Sequence, residues 1–326
     1  MSIFNKLFGQ KRTIQSPTFV KDFSKDNHHL SALNDLLNKV VDGERKDNIE
    51  RDIRFLTYGL DGENNVYFEL KNSFQPILCL HDVRVVYEDY VAQLDFVVIS
   101  NKFICILETK KLSGNISIDQ DGNFVRIMKN KYGKEFKMGI YSPITQNTRH
   151  IDIIKHVLAK ELKIINMPIL SLVVMANPKT IINKHSCPTH IENSIIKYDQ
   201  IKATLERYQN DKANTYNVAE KQMHEISNLL VKLNTPLKMD LVAKYQLSNN
   251  DFQKKDETLL REELTSYRLQ TSRDENIKAY YIFNNNELED IIAKYPRTEE
   301  ELLSIKGFGQ VKVEKYGKGI LGIFNG

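Results

Sequence analysis

The chain is poor in the residues and patterns that would assign it to several broad classes. It has three cysteines in 326 residues, Cys79, Cys105 and Cys187. That number argues against a disulfide framework and fits a reducing compartment. Cys79 and Cys105 sit inside apolar runs and read as small buried hydrophobes. His185, Cys187 and His190 lie close together but match no standard zinc spacing, so they read as a polar loop. No apolar run approaches the ~18 residues of a membrane span. The opening MSIFNKLFGQKRTIQ holds too short an apolar stretch for a signal peptide. The expectation is therefore a cytoplasmic protein without a membrane partner. A phosphate-cradling glycine loop and helicase motifs are also missing, so no ATP dependence is expected. Internal repeats and low-complexity tracts are lacking as well.

What is present describes an ordinary globular chain with room for about two domains. Hydrophobic residues make up 41% and charged residues 27%. The net charge of +4 permits a polyanionic partner without demanding one. Residues 1–52 read as an N-terminal helical extension, one helix or a pair, with one stripe of Leu30, Leu33, Leu36, Leu37 and Val40–Val41. From 53 to about 210, strand-like and helix-like stretches alternate, which predicts an α/β core around a mixed sheet. A helix is expected over 59–71, starting near Asp61, with strands at Ile77–Leu80 and Val83–Tyr87. Leu94–Ser100 and Phe103–Thr109 flank Asn101–Lys102 as a hairpin. Ser142 and Pro143 suit the start of a long helix over 143–163. Ile169–Met175 reads as a buried strand, Ile195–Tyr198 as a short one, and 200–208 as a helix. Residues 213–233 look helical, 234–256 look like a polar connector, and 257–326 form a second domain without strand-like alternation.

Polar residues interrupt the apolar strands at informative places. Asp95 stands near the start of one strand, and Glu108 and Lys110 close the next. Strand period two puts Glu108 and Lys110 on one face. If the strands pair as a hairpin, Asp95 lies beside Glu108. A buried carboxylate is costly unless paired or bound to a metal. Asp95 and Glu108 are hard oxygen ligands of the kind Mg2+ takes, and Mn2+ would serve equally. Lys110 can orient or deprotonate an attacking water and neutralise a phosphate. Glu63 opens the helical stripe Glu63, Val66, Tyr67, Leu70, and can hold a second metal or its water. The alternative is a solvated Asp95 and a surface Glu108–Lys110 ion pair. Lys129, Lys131, Lys134 and Lys137, interleaved with Tyr132 and Phe136, make a basic hairpin-like segment. It either tracks a phosphate backbone or is a solvated face.

The strings GLDGENNVYFEL (59–70), AQLDFVVIS (92–100), ILETKKLSGNISI (106–118) and YSPITQNTRHIDIIK (141–155) resemble, in order, the NERD or nuclease-related domain. That family is a branch of the PD-(D/E)xK nucleases. The resemblance implies a restriction-endonuclease-like core with a central mixed sheet flanked by helices, and a metal-dependent nuclease activity. It implies catalytic roles for Asp95, Glu108, Lys110 and Glu63, with Asp95, Glu108 and Glu63 as metal ligands. It also assigns Gln146 as a catalytic residue that positions phosphate or water. Lys111 stands where the family usually has asparagine. His150 and His156 read as surface or core histidines of the same helix.

The last part of the chain shows four helical stripes and a capping box at Thr298 and Glu301. Between the last two stripes lies Ile305–Lys306–Gly307–Phe308–Gly309, a tight turn whose backbone N–H groups can face an anion. YPRTEEELLSIKGFGQVKVEKYGKGIL (295–321), with NNNELEDII (285–292) before it, resembles the HRDC domain of RecQ helicases and RNase D. The resemblance implies a small all-α bundle binding nucleic acid through Lys306, Gly307, Gly309, Lys312, Lys315 and Lys318. The alternative is a protein-docking module with solubilising lysines. Three functions then compete: a Mg2+-dependent DNA nuclease, a catalytically silent nucleic-acid-binding adaptor, and an RNA-directed nuclease. DNA is the favoured partner.

Overall fold

The computed structural model describes residues 13–25, 27–248 and 251–325. The start of the N-terminal extension, residues 1–12, lies outside the described residues. The chain divides into two compact units: residues up to Ser31 with Arg51–Met239, and Ala32–Glu50 with Asp240 to the end.

The first unit is built on a six-stranded mixed sheet. Its strands are β1 (Thr18–Lys21), β2 (Leu78–Tyr87), β3 (Tyr90–Ile99), β4 (Ile104–Lys110), β8 (Ile169–Met175) and β10 (Ile195–Lys197), lying side by side in that order. β2, β3 and β4 form an antiparallel meander, while β1, β8 and β10 pair in parallel. A second sheet holds β5 (Asn115–Ile118), β6 (Phe124–Lys129), β7 (Glu135–Ile140) and β9 (Ile182–Asn183), in the order β7-β6-β5-β9. Strand β1 is not anticipated by the sequence reading, which places only a helix or pair of helices in the N-terminal extension. Its four residues are too few for alternation to show.

Helices cover both faces of the main sheet. The second half of α2 (Glu44–Lys71) precedes the meander, and α3 (Pro143–Leu162), α4 (Ile201–Gln209) and α5 (Glu220–Lys232) follow; α1 (His28–Leu37) runs mostly in the second unit. On one face Ile151, Ile154, Val157 and Leu158 of α3, with Met223, Ile226 and Leu230 of α5, pack on Leu80, Val97, Ile104 and Ile106. On the other, Val66 and Leu70 of α2 and Leu205 of α4 pack on Cys79, Phe96, Val98, Cys105 and Leu107. Both cysteines are thus buried, as their apolar surroundings imply.

Three boundaries differ from expectation. Helix α2 starts at Glu44 rather than near Asp61. Between Ile49 and Leu60 it buries no hydrophobic side chain, so its first half carries no stripe to read. Helix α5 starts at Glu220 rather than 213, because Asn214 and Asn217 spend their side chains on Tyr216 N–H and Asn101. The two strands expected at 77–87 are one strand. Asp82, at a φ of 50°, lies within it and hid its continuity.

Asp82 also changes which way the strand's side chains point. Leu78, Leu80, Val83 and Val85 all face the same core, so the period-two alternation resets between Leu80 and Val83. The same happens on β3, where Leu94 and Val97 face that core together. Paired positions run His81 with Phe96 and then Val83 with Leu94, which leaves Asp82 and Asp95 opposite each other and unbridged.

Two glycines of α2 separate fold from propensity. A Cβ on Gly62 would stand 2.7 Å from Lys111 Cβ and 3.3 Å from Ala176 Cβ, whereas one on Gly59 meets nothing within 4 Å. Gly59→Ala should therefore stabilise by about 0.5–1 kcal/mol through helix propensity. Gly62→Ala should instead destabilise, by about 1–3 kcal/mol, as the helix is pushed off the end of β4. Urea or thermal unfolding of the two variants checks the opposite signs.

Candidate active site

Strands β3 and β4 pair from Ile99 with Ile104 up to Phe96 with Leu107. One step further, the register sets Asp95 opposite Glu108. The ladder opens there, and the freed N–H of Thr109 donates to Asp95 Oδ2 at 2.7 Å. Glu108 is only 3% exposed. Lys110 Nζ donates to Glu108 Oε1 at 2.6 Å and reaches Gln146 Oε1 at 3.4 Å. Asp95, Glu108, Lys110 and Gln146 therefore come together at one end of the central sheet. Gln146 is placed by α3, whose N-cap Ser142 accepts from Thr145 N–H with Pro143 at the first position. Asn147 on the same helix donates to Ile106 O and Ser171 Oγ, both at 2.9 Å, and so pins α3 across β4 and β8.

Burial raises the Asp95 carboxyl well above the usual carboxylate range, and the neighbouring Glu108 and Glu63 raise it further. The Thr109 N–H and Lys110 act against this rise. Ionising Asp95 beside Glu108 is therefore opposed more strongly than Thr109 N–H and Lys110 favour it.

Glu63 faces the cluster from α2 but is engaged. Its Oε2 lies 2.7 Å from His81 Nε2. The His81 ring is buried and packs against Phe23 and Phe96, each with ring centroids 4.8 Å away. Among the described residues, no three His, Cys, Asp or Glu side chains gather closely enough to hold a metal ion by themselves. His185, Cys187 and His190 form no such group either.

Two histidines escaped the sequence reading as parts of this site. His81 breaks an apolar strand, LCLHDVRV, and a polar residue there was the available signal. His150 read as a surface or core histidine of its helix. Its Nδ1 is 4.0 Å from Glu108 Oε2, and this buried nitrogen has no hydrogen-bond partner. Burial lowers its proton affinity; Glu108 raises it and Lys110 lowers it. The buried Thr109 Oγ1 and Asn147 Oδ1 are likewise unsatisfied. Of these atoms His150 Nδ1 is the one that lies near a carboxylate, and an unpaired buried nitrogen there can take a further partner such as water. Lys111, on the far side of β4, reaches Asp61 Oδ2 at 3.4 Å and lies 4.4 Å from the Tyr58 ring. A cleft of about 410 Å3 elsewhere in the unit is lined by Lys184, Glu192, Gln200 and Arg207, and none of the clustered residues borders it.

The second unit contains a helical module with its own core. Helices α6 (Glu257–Asp274), α7 (Asn285–Lys294) and α8 (Glu299–Leu303) are followed by α9 (Gln310–Lys312). That turn runs through a π-helical stretch, Val313–Gly317, into α10 (Lys318–Asn325). Leu260, Leu264, Phe283, Ile291, Leu302, Phe308 and Ile320 fill the centre. Capping boxes form at Asn284 with Glu287 and at Thr298 with Glu301. The polar connector expected at 234–256 holds a one-turn helix, Leu241–Lys244, and Phe252 bridges to Val40.

The predicted basic residues of this module are not equivalent. Lys312 Nζ donates to both oxygens of Glu287, at 2.9 and 3.1 Å, and Lys315 Nζ to Glu275 Oε2 at 2.6 Å. Lys306 and Lys318 are exposed and make no ion pair among the described residues. Gly307 sits at a φ of 94°, and a Cβ there would stand 2.0 Å from Glu287 Oε1. That carboxylate thus occupies one side of the glycine turn. Gly309 caps α9.

Two segments of the chain, one in each unit, match known families. Residues 58–176 match the nuclease-related domain family, NERD, and residues 257–324 match the HRDC domain. Among curated relatives, an ATP-dependent DNA helicase Q-like 4B of Arabidopsis thaliana is 51% identical over 45 residues, 14% of this chain and 4% of that protein. The ATP-dependent DNA helicase UvrD2 of Mycobacterium tuberculosis is 38% identical over 71 residues, 22% of this chain and 10% of that protein. The chain thus spans a small fraction of these relatives. A solved structure, D. radiodurans RecQ HRDC domain 3, is 32% identical, with 22% of this chain and 93% of that one covered and a TM-score of 0.21. No helix of the described residues is long and apolar enough to cross a membrane.

The acidic cluster yields a pH-dependent expectation. The folded chain holds the Asp95 proton more tightly than the unfolded chain does. Its ionisation therefore costs stability, absent below the unfolded value near ~4 and fully present above the raised folded value. Asp95→Asn keeps an acceptor for Thr109 N–H. It should raise Tm in EDTA at neutral pH and leave it unchanged near pH ~3. Added Mg2+ should raise the wild-type Tm at neutral pH but not that of Asp95→Asn. A wild-type Tm indifferent to Mg2+ and Mn2+ would mean that the pair holds no cation.

Proposed function

We propose that the chain is a divalent-cation-dependent nuclease that hydrolyses DNA phosphodiester bonds, with its HRDC module adding nucleic-acid affinity. The observation that carries this reading is the convergence of Asp95, Glu108 and Lys110 at one sheet end within the NERD match. Two adjacent carboxylates, one of them resisting ionisation until a cation offsets it, fit Mg2+ or Mn2+, which bind through one or two carboxylates plus water and phosphate oxygens. Asp95 and Glu108 would hold the ion, which supplies Lewis acidity and charge neutralisation at the scissile phosphate.

The chain's own groups have distinct tasks. Thr109 N–H fixes the Asp95 carboxylate. Lys110, held between Glu108 and Gln146, presents its ammonium to a phosphate oxygen or to the attacking water. Gln146 sets the direction of that lysine, and its amide can orient the water. His150 stands behind Glu108 as a positioning residue. Glu63, paired with His81, adds negative charge from α2. The competing reading, a silent adaptor that binds nucleic acid, draws on that pairing. With Glu63 held by His81, only Asp95 and Glu108 are left as a carboxylate pair, and Glu108 is itself bonded to Lys110.

Cleavage assays separate the readings. With Mg2+ or Mn2+ and labelled single-stranded DNA, duplex DNA and RNA, wild type should cut DNA in preference to RNA. Asp95→Asn, Glu108→Gln and Lys110→Ala should each slow cutting by about 100-fold or more. Binding in EDTA should stay within about twofold, because phosphate contacts are made elsewhere. Equal cutting by wild type and Asp95→Asn protein would end the nuclease reading, and binding without cutting would establish the adaptor.

The module's lysines should split by their contacts. Lys306→Ala with Lys318→Ala should lower the salt dependence of DNA binding by about 1–2 in log–log slope without loss of Tm. Lys312→Ala should cost about 1–3 kcal/mol of stability, since it strips a partner from the buried Glu287. Salt titrations and thermal melts of these variants are the check.

A further inference from the structure

Between β4 and α3 the chain leaves the central sheet, and much of that excursion is the hairpin β6–β7. Asn130 builds its turn, with Oδ1 accepting from Tyr132 N–H at 2.9 Å and Lys134 N–H at 3.0 Å. Gly133 follows at a φ of 79°. β7 is the edge strand of its sheet, and residues 135–139 are all exposed.

The register sorts the side chains by face. Phe124 with Ile140, Arg126 with Met138, and Met128 with Phe136 share one face. That face begins in the core at Phe124 and Ile140. It then runs into solvent through Met138 and Phe136, 43% and 46% exposed, towards Tyr132 at the turn, 81% exposed. Nothing within the described residues covers these rings, so they gain little by packing.

Charge is concentrated on the same hairpin. Arg126, Lys129, Lys131, Lys134 and Lys137 stand against Glu135 alone, an excess equal to the +4 of the entire chain. Among the described residues, none of the four lysines is neutralised by an ion pair. Lys131 Nζ lies 5.0 Å from the centre of the Tyr132 ring. Lysines on an edge strand also discourage edge-to-edge pairing. That role explains the charge but not exposed tyrosine, phenylalanine and methionine beside it.

We infer that the β6–β7 hairpin binds single-stranded nucleic acid. Lys131 and Lys134 at the turn, with Lys129 and Lys137 on the reverse face of the same edge ribbon, follow the phosphates around the exposed edge, while Tyr132 and Phe136 stack on unpaired bases. Every base has a π-face, so such a platform needs no sequence. A duplex keeps its bases stacked internally and offers the rings nothing but sugar and phosphate. The hairpin is also tied to the acidic cluster along the chain. Arg126 Nε donates to Ser113 O at 2.6 Å, just after Glu108 and Lys110, and β7 ends at Ile140, shortly before Gln146. The root of the hairpin is thus anchored next to the segments that carry Lys110 and Gln146, so a strand bound on it belongs to the same unit as the carboxylates. This inference rests on nucleic acid being the substrate.

The test uses the full chain in EDTA, so that no cutting is needed. Fluorescence anisotropy reads binding to labelled oligo-dT and to a duplex of equal length across a salt series. Changing the four lysines together to alanine should weaken oligo-dT binding at least tenfold at low salt. It should also lower the log–log salt slope by about 2–3. Tyr132→Ala and Phe136→Ala should each weaken oligo-dT binding roughly fivefold or more, with duplex binding and salt slope unmoved, while Tyr132→Phe retains it. Irradiation with 5-iodouracil DNA should place adducts on Tyr132 or Phe136, whatever the second module contributes. Equal losses on duplex and oligo-dT in the aromatic variants would overturn the single-strand assignment. Unchanged affinity with no adduct in 124–141 would overturn the hairpin assignment altogether. A protein that binds as expected here yet never cuts with Mg2+ would refute the nuclease reading alone.

Discussion

The opening of the strand ladder at Asp95 is the constraint on which the candidate site depends. Were β3 and β4 paired one step further, Thr109 N–H would be taken up by the ladder and the Asp95 carboxylate would lack its donor. The opening is prepared on the neighbouring strand by Asp82, whose left-handed backbone resets the alternation of β2 directly opposite Asp95. Both strands can then keep Leu80 and Val83, and Leu94 and Val97, in one core while releasing a carboxylate from the pleat. The rest of the site assembles around that release. Asn147 locks α3 onto β4 and β8, which brings Gln146 to Lys110 and His150 to Glu108.

Holding two carboxylates side by side works against folding, and the structure offsets this only in part. Lys110 bonds Glu108, and Thr109 N–H bonds Asp95, yet Asp95 still favours its proton. Sites that bind cations commonly store such imbalance, because the ligand supplies what the protein withholds. The helical module follows the reverse rule. Its carboxylates Glu287 and Glu275 are matched by Lys312 and Lys315, as expected of groups that hold a fold together.

Much of this was legible in the chain itself. The apolar runs of β3, β4 and β8 and the Ser142–Pro143 start of α3 placed the central elements. Period two placed Glu108 and Lys110 on one face. What stayed hidden had physical causes. The first half of α2 buries too little to make a stripe, and β1 is too short to alternate. His81 and His150 meet their carboxylate partners only through contacts between elements distant in sequence.

The division between the two levels is sharpest at the charged residues. The order of residues by itself determined which carboxylates and lysines exist, which strand or helix carries each, and that Asp95 and Glu108 would face each other once their strands paired. Local periodicity suffices for that, because it depends only on near neighbours along the chain. Whether a given charge is free or spent was decided by tertiary structure alone. Glu63 is spent on His81, and Lys312 and Lys315 on Glu287 and Glu275. The lysines of the β6–β7 hairpin, with Lys306 and Lys318, have no acidic partner among the described residues. An ion pair acts over a few ångströms and falls away with distance and solvent. It is therefore a property of which surfaces meet, and no reading of one element at a time contains that.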